Sequence, residues 1–104
     1  MARNPRLKGI RPVHPGELLR EVVLPAIDRP KTEIARLLGV SRQTLYDVLN
    51  EKQPITANLA VRIAKLVGDD AGSWLTMQQN YDLEIAERAL AKELKRIPTL
   101  QAAE

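Results

Sequence analysis

The chain has 104 residues, 44% hydrophobic and 28% charged, with a net charge of +3. That size suits one domain with one core, and the composition is too apolar for a disordered chain. With no cysteine, disulfide frameworks, thiolate zinc sites and cysteine nucleophiles are excluded, while mild basicity permits nucleic-acid binding without demanding it.

No apolar run reaches the length of a signal peptide or a membrane span, so a cytoplasmic protein is expected. Phe is absent and Tyr46, Trp74 and Tyr81 are the aromatics. The core therefore has to be built from Leu, Ile, Val and Ala.

Residues 1–13 contain Pro5, Gly9 and Pro12 and show little periodicity, which predicts an irregular arm. Arg3, Arg6, Lys8 and Arg11 make it basic ahead of the first acid, Glu17. A frayed, solvated terminus explains this as well as an arm that touches phosphate. His14-Pro15-Gly16-Glu17 is a helix-start signal, with Pro at a first helical position. Leu18, Leu19, Val22 and Val23 then give one apolar face, and Pro25 is expected to end or kink that helix. Pro30 opens a second helix carrying Ile34, Ala35, Leu37 and Leu38, and Gly39 suits its C-terminal cap. Ser41 is an N-cap for a third helix, whose buried stripe is Leu45, Val48 and Leu49.

Thr56 caps a fourth helix with Leu59, Ile63 and Leu66 on its apolar face, and Gly68 stops it. Asp69, Asp70 and Ser73 offer caps for a fifth. It carries Trp74, Leu75, Met77, Tyr81, Ile85, Ala89 and Leu94 toward Lys95, with a bend expected near Asn80. Pro98 ends it. The fold class is thus all-α. Residues 14–97 form five helices, the last one extended, and 98–104 form a loose tail.

The stretch from Pro30 to Asn50 has the mechanics of a helix-turn-helix. A small residue, Ala35, lets the two helices approach, and Gly39 makes the sharp turn between them. Ile34, Leu38, Val40, Leu45 and Val48 face inward and set the crossing angle. The second helix of such a pair lies in the DNA major groove. Its outward residues here are Arg42, Gln43, Thr44, Tyr46, Asp47 and Asn50, the candidates for base readout. Gln takes adenine N6 and N7, Arg takes guanine O6 and N7, and the Thr methyl meets a thymine methyl. Asp47 is the odd acid in this set. It is expected to tune selectivity or to pair with Arg42 or Lys52. Lys31, Ser41, Lys52 and Thr56 sit at helix starts or close by and are the candidates for DNA backbone contact.

Other polar residues have plain structural readings. His14 is the single histidine, and it caps or packs a helix start rather than holding a metal. Asp69-Asp70 lacks the further ligands of a calcium loop and suits a helix N-terminus. No cofactor, no small-molecule substrate and no catalytic constellation is signalled. A toxin-like ribonuclease would need a displayed sheet, and no segment reads as a strand.

Ile34-Ala35 through Leu45 resembles the Cro/C1-type (XRE) helix-turn-helix family, although Lys31 stands where that family often carries Gln. Three further motifs narrow the likeness. They are Arg11-Pro12-Val13-His14-Pro15-Gly16-Glu17-Leu18-Leu19-Arg20-Glu21, then Ile55-Thr56-Ala57 ahead of Ala60-Val61-Arg62-Ile63-Ala64, and Trp74-Leu75-Thr76-Met77-Gln78-Gln79-Asn80-Tyr81-Asp82-Leu83. Together, over about residues 11 to 87, they resemble the HigA/VapI-like antitoxins. The resemblance implies a Cro/C1 repressor-like domain that acts as a homodimer. It implies a palindromic double-stranded operator ahead of the protein's own operon, and a HigB-type toxin of the RelE-like ribonuclease superfamily as partner. A stand-alone XRE-type repressor without a toxin is the alternative. Trp74, Met77 and Tyr81 are expected in the core, and Leu83, Leu90 and Leu94 are left as candidates for an interface or partner contact.

Overall fold

The computed structural model describes residues 11–101. Arg3, Arg6 and Lys8 of the basic arm and residues 102–104 of the tail lie outside that range. Among the described residues all regular structure is helical. Helix α1 covers residues 15–27: it is α-helical over Pro15–Leu18, π-helical over Leu19–Val23 and α-helical again over Leu24–Ile27. Then come α2 (Lys31–Leu38), α3 (Arg42–Leu49), α4 (Ala57–Val67), α5 (Ala71–Ala89) and the single turn α6 (Ala91–Leu94). No described helix is long and apolar enough to cross a membrane.

The helix starts follow side-chain chemistry. The first N–H groups of a helix have no partner within it, so a side-chain acceptor just ahead of them is stabilising. His14 Nδ1 accepts from Gly16 N at 2.9 Å, with Pro15 at the first helical position. Ser41 Oγ accepts from Thr44 N at 3.0 Å and Thr56 Oγ1 from Leu59 N at 3.3 Å. Asp70 Oδ2 accepts from Ser73 N at 3.0 Å. Gly39 and Gly68 end α2 and α4 in the left-handed region, at φ 75° and 77°.

Of the two outcomes expected at Pro25, an end to the helix is not found, because the chain remains helical through it. A proline lacks an N–H and its ring crowds the carbonyl one turn back. The π-helical turn directly before Pro25 widens the coil, and Leu24 N bonds back five residues to Leu19 O. The wider turn also shifts the phase of the helix by about one residue. Leu19 and Leu24 are buried as a result, while Val22, expected on the apolar face, is exposed.

The core joins α1 to α5. It contains Leu19 and Leu24, then Ile34, Ala35 and Leu38 of α2, and Leu45, Val48 and Leu49 of α3. Ile55, Leu59, Ala60 and Ile63 add the α4 side, and Trp74 closes it from α5. Met77 is partly buried against this cluster and Tyr81 is half-buried. Leu37, read as part of the α2 apolar set, is exposed.

Helix α5 runs unbroken past Asn80, and the interruption comes at Leu90, with φ −99° and ψ 9°. The exposed amide of Asn80 can solvate without disturbing the helix, so no bend arises there. The far end of α5 carries no core. The radius of gyration is 16.9 Å and the extents are 54 × 30 × 24 Å, against about 13 Å for a compact chain of this size.

Candidate nucleic-acid interface

The outward face of α3 depends on how firmly the inward face is held. Leu45, Val48 and Leu49 are buried in the core, which fixes the rotation of the helix. Three contacts then fix its position along the axis. At its start, Gly39 turns the chain, and Val40 N donates to Ala35 O at 3.1 Å. Arg62 of α4 clamps this turn from outside, donating from Nη1 to Leu38 O at 2.9 Å and from Nε to Asn58 Oδ1 at 2.7 Å. A Cβ at position 39 would lie 2.7 Å from Arg62 Nη1, so glycine serves both the left-handed φ and the clamp.

The second contact is at the middle of α3. A Cβ on Gly16 would fall 2.0 Å from Val48 O. Only glycine lets the first turn of α1 approach the α3 backbone so closely. The third is at its end. Arg20 Nη1 donates to Leu49 O at 2.6 Å and reaches Glu51 Oε2 at 3.5 Å. Glu51 itself is left-handed, with φ 64°, and Lys52 N closes the turn on Asp47 O at 2.7 Å.

On this support the six base-reading candidates share α3 and its C-cap. Arg42, Gln43, Tyr46 and Asn50 are exposed, while Thr44 and Asp47 are half-buried. Arg42, Tyr46 and Asn50 recur every four residues and form one ridge; Gln43 and Asp47 form the next. Among the described residues the side chains of Arg42, Tyr46 and Asn50 have no hydrogen-bond or ion-pair partner. Thr44 Oγ1 accepts from Ser41 Oγ at 2.9 Å. Asp47 pairs with neither Arg42 nor Lys52, the partners expected for it. Its Oδ1 accepts from Gln43 Nε2 at 2.8 Å, because a residue four positions earlier on a helix is within direct reach. Of the backbone-contact candidates, Lys31 opens α2, Ser41 caps α3 and Thr56 caps α4, and all three are exposed along with Lys52.

The remaining motif residues are structural. His14 is buried beneath the edge of Tyr81, with ring centroids 4.9 Å apart. Burial pushes its imidazole below the ordinary value, against the opposing pull of Glu51 and Asp82 and of the Gln53 backbone. Trp74 Nε1 donates to Asp69 at 3.1 Å. Gln78 is buried; its Oε1 accepts from Ile55 N at 2.8 Å and its Nε2 donates to Asp82 Oδ1 at 3.0 Å. It ties α5 to the segment that leads from the end of α3 into α4.

Comparison with known proteins agrees with this geometry. Residues 19–68 match the helix-turn-helix family. Virulence-associated protein I of Dichelobacter nodosus is 41% identical over 76 residues, covering 73% of this chain and 70% of that one. The antitoxin HigA of Pseudomonas aeruginosa, solved with the higBA promoter, superposes with a TM-score of 0.82 at 35% identity, covering 88% of this chain and all of the other. The antitoxin GraA, solved in complex with its operator, gives a TM-score of 0.83 at 30% identity over 99% of this chain and all of the other. The chain belongs to the HigA/VapI-like antitoxin family.

The helix-turn-helix match starts within α1 and stops at Gly68. It includes Arg20, Gly39 and Arg62 but neither the His14–Glu17 stretch nor Trp74–Asp82. In this HigA/VapI-like chain the first of those motifs packs Gly16 against the α3 backbone, and the second holds His14 through Tyr81 and Ile55 through Gln78. Sequence reasoning missed Arg20, Arg62 and Gln78 as supports. Arg20 and Arg62 stood in quoted motifs, but nothing local names carbonyls 29 and 24 residues away as their acceptors.

Proposed function

We propose that the protein is the antitoxin of a toxin–antitoxin module and represses its own operon by binding the operator as a dimer. The observation that carries this reading is α3. Its apolar side is buried, its backbone is fixed at three points, and its outer side offers unengaged Arg42, Tyr46 and Asn50 beside Gln43. A helix whose backbone is held still before binding loses little main-chain entropy on binding. The relatives solved with promoter or operator DNA support the DNA half of the reading. The family supports the other half, a HigB/RelE-like toxin as protein partner.

On this reading Arg42, Gln43, Thr44, Tyr46, Asp47 and Asn50 face the bases, and Lys31, Ser41, Lys52 and Thr56 face phosphates. Residues 14–97 are the DNA-binding unit, and it works in the cytoplasm with no catalytic role.

The test is fluorescence anisotropy on the duplex upstream of the protein's own gene, beside a scrambled duplex, over a salt series. Selective binding is expected. Equal and steeply salt-dependent binding to both would reject a specific repressor. Lys52→Ala should weaken both duplexes alike and reduce the salt slope by about one. Loss at the operator alone would mean that Lys52 reads sequence. Co-purification with the neighbouring gene's product tests the toxin half, and a chain with no such partner is a stand-alone repressor.

A further inference from the structure

The Gln43–Asp47 bond restricts what Gln43 can read. A carboxylate only accepts hydrogen bonds, so the Gln43 amide has to turn its NH2 group toward Asp47. Nε2 donates to Asp47 Oδ1 at 2.8 Å. The main chain at Asp47 is fixed by the turn that ends α3, its backbone carbonyl accepting from Lys52 N at 2.7 Å and Gln53 N at 3.3 Å, so the carboxylate starts from a held Cα. Among the described residues its carboxylate has no cationic partner that would draw it off Gln43.

An Nε2 group has two hydrogens, and one is taken. Gln43 is left with one donor hydrogen and the Oε1 acceptor. In the major groove adenine shows an acceptor at N7 and a donor at N6, which that edge complements. Guanine shows two acceptors, N7 and O6. To satisfy both, Gln43 would have to give up Asp47 or set Oε1 against O6.

We propose that Asp47 is a positioning residue that sets the Gln43 amide to select adenine over guanine. This rests on the operator-binding reading above and adds the base that one side chain recognises. It also gives the odd acid of α3 a specific way to tune selectivity.

The experiment uses the full chain and a duplex selected from a randomised pool by the wild type. Each base pair of the selected site is replaced in turn, and the position whose preference Gln43→Ala abolishes is identified. Adenine and guanine are then compared at that position for wild type, Asp47→Ala and Asp47→Asn. Wild type should favour adenine by roughly tenfold or more. Asp47→Ala should lose most of that preference while melting at the wild-type temperature. Asp47→Asn should keep it, because the Asn carbonyl can accept the same bond, although overall affinity rises as a negative charge leaves the groove. Full adenine preference in Asp47→Ala overturns the proposal, as does a Gln43 position that is not an A·T pair. A change instead at a separate C·G position would mean that Asp47 reads cytosine N4 itself, which also overturns it. If the wild type selects no sequence at all, the operator-binding reading falls and this inference falls with it.

Discussion

His14 combines three duties in one ring: it caps α1, packs under Tyr81 and stays neutral. Its folded pKa lies below the unfolded value of about 6.5, chiefly through burial. A histidine shifted this way favours folding fully above the unfolded pKa, and the contribution is lost as pH falls through the folded value. Protonation would also destroy the acceptor for Gly16 N. Wild type should therefore lose urea resistance between pH 7 and pH 5. His14→Asn, which keeps a capping oxygen, should lose less over the same range whatever its stability at pH 7. Parallel pH profiles for the two proteins would mean that His14 does not titrate in this window. Gly16 beside it is a steric requirement. Gly16→Ala should destabilise toward the upper end of the ~1–3 kcal/mol typical of overpacking, because the atom it meets is the Val48 carbonyl and cannot rotate away. An unchanged denaturation midpoint would show that α1 and α3 separate freely.

At the scale of elements, the caps were legible and the long-range clamps were not. Ser41, Thr56, Gly39 and Gly68 act within a few residues of themselves, so local chemistry names them. The phase of α1 was misread because Pro25 is accommodated by a π-helical turn, and a regular helical spacing extended past Leu19 puts Val22 on the wrong side. The candidate readers on α3 were legible as outward positions from the buried Leu45–Val48–Leu49 stripe. Of the two expectations for Asp47, pairing with Arg42 or Lys52 is not found, because charge was given more weight than reach along the helix. Gln78 shows what remained out of view. Mid-helix, a glutamine looks like a solvated polar residue, yet it accepts the buried Ile55 N–H at the entry to α4. Gln78→Met keeps the volume and removes the acceptor. It should cost about 1–3 kcal/mol, the penalty for an unsatisfied buried donor, measured by urea denaturation. A cost below about half a kcal/mol would mean that water replaces the side chain.

At the scale of the whole molecule, the proposed binding as a dimer asks for two copies of α3 on half-sites about one helical turn apart, ~34 Å, and on that reading a second copy has to be held at that spacing. The far end of α5 and the turn α6 after it carry apolar surface with no core to cover. Leu83, Leu90 and Leu94 are 53%, 46% and 45% exposed. Leu83 lies on the side of α5 opposite Trp74, Gln78 and Tyr81 at about 100° per residue, and Leu90 and Leu94 follow at its C-cap and in α6. A second copy that covers this stripe removes it from water without disturbing the core. The wild type should then sediment as a dimer at micromolar concentration. Leu90→Asp combined with Leu94→Asp should sediment as a monomer with an unchanged helical spectrum, because neither side chain is buried. Its operator binding should weaken and become steeply dependent on protein concentration. A double variant that stays dimeric would move the interface elsewhere, and the groove lined by Leu37, Val61 and Leu66 would be the next surface to substitute.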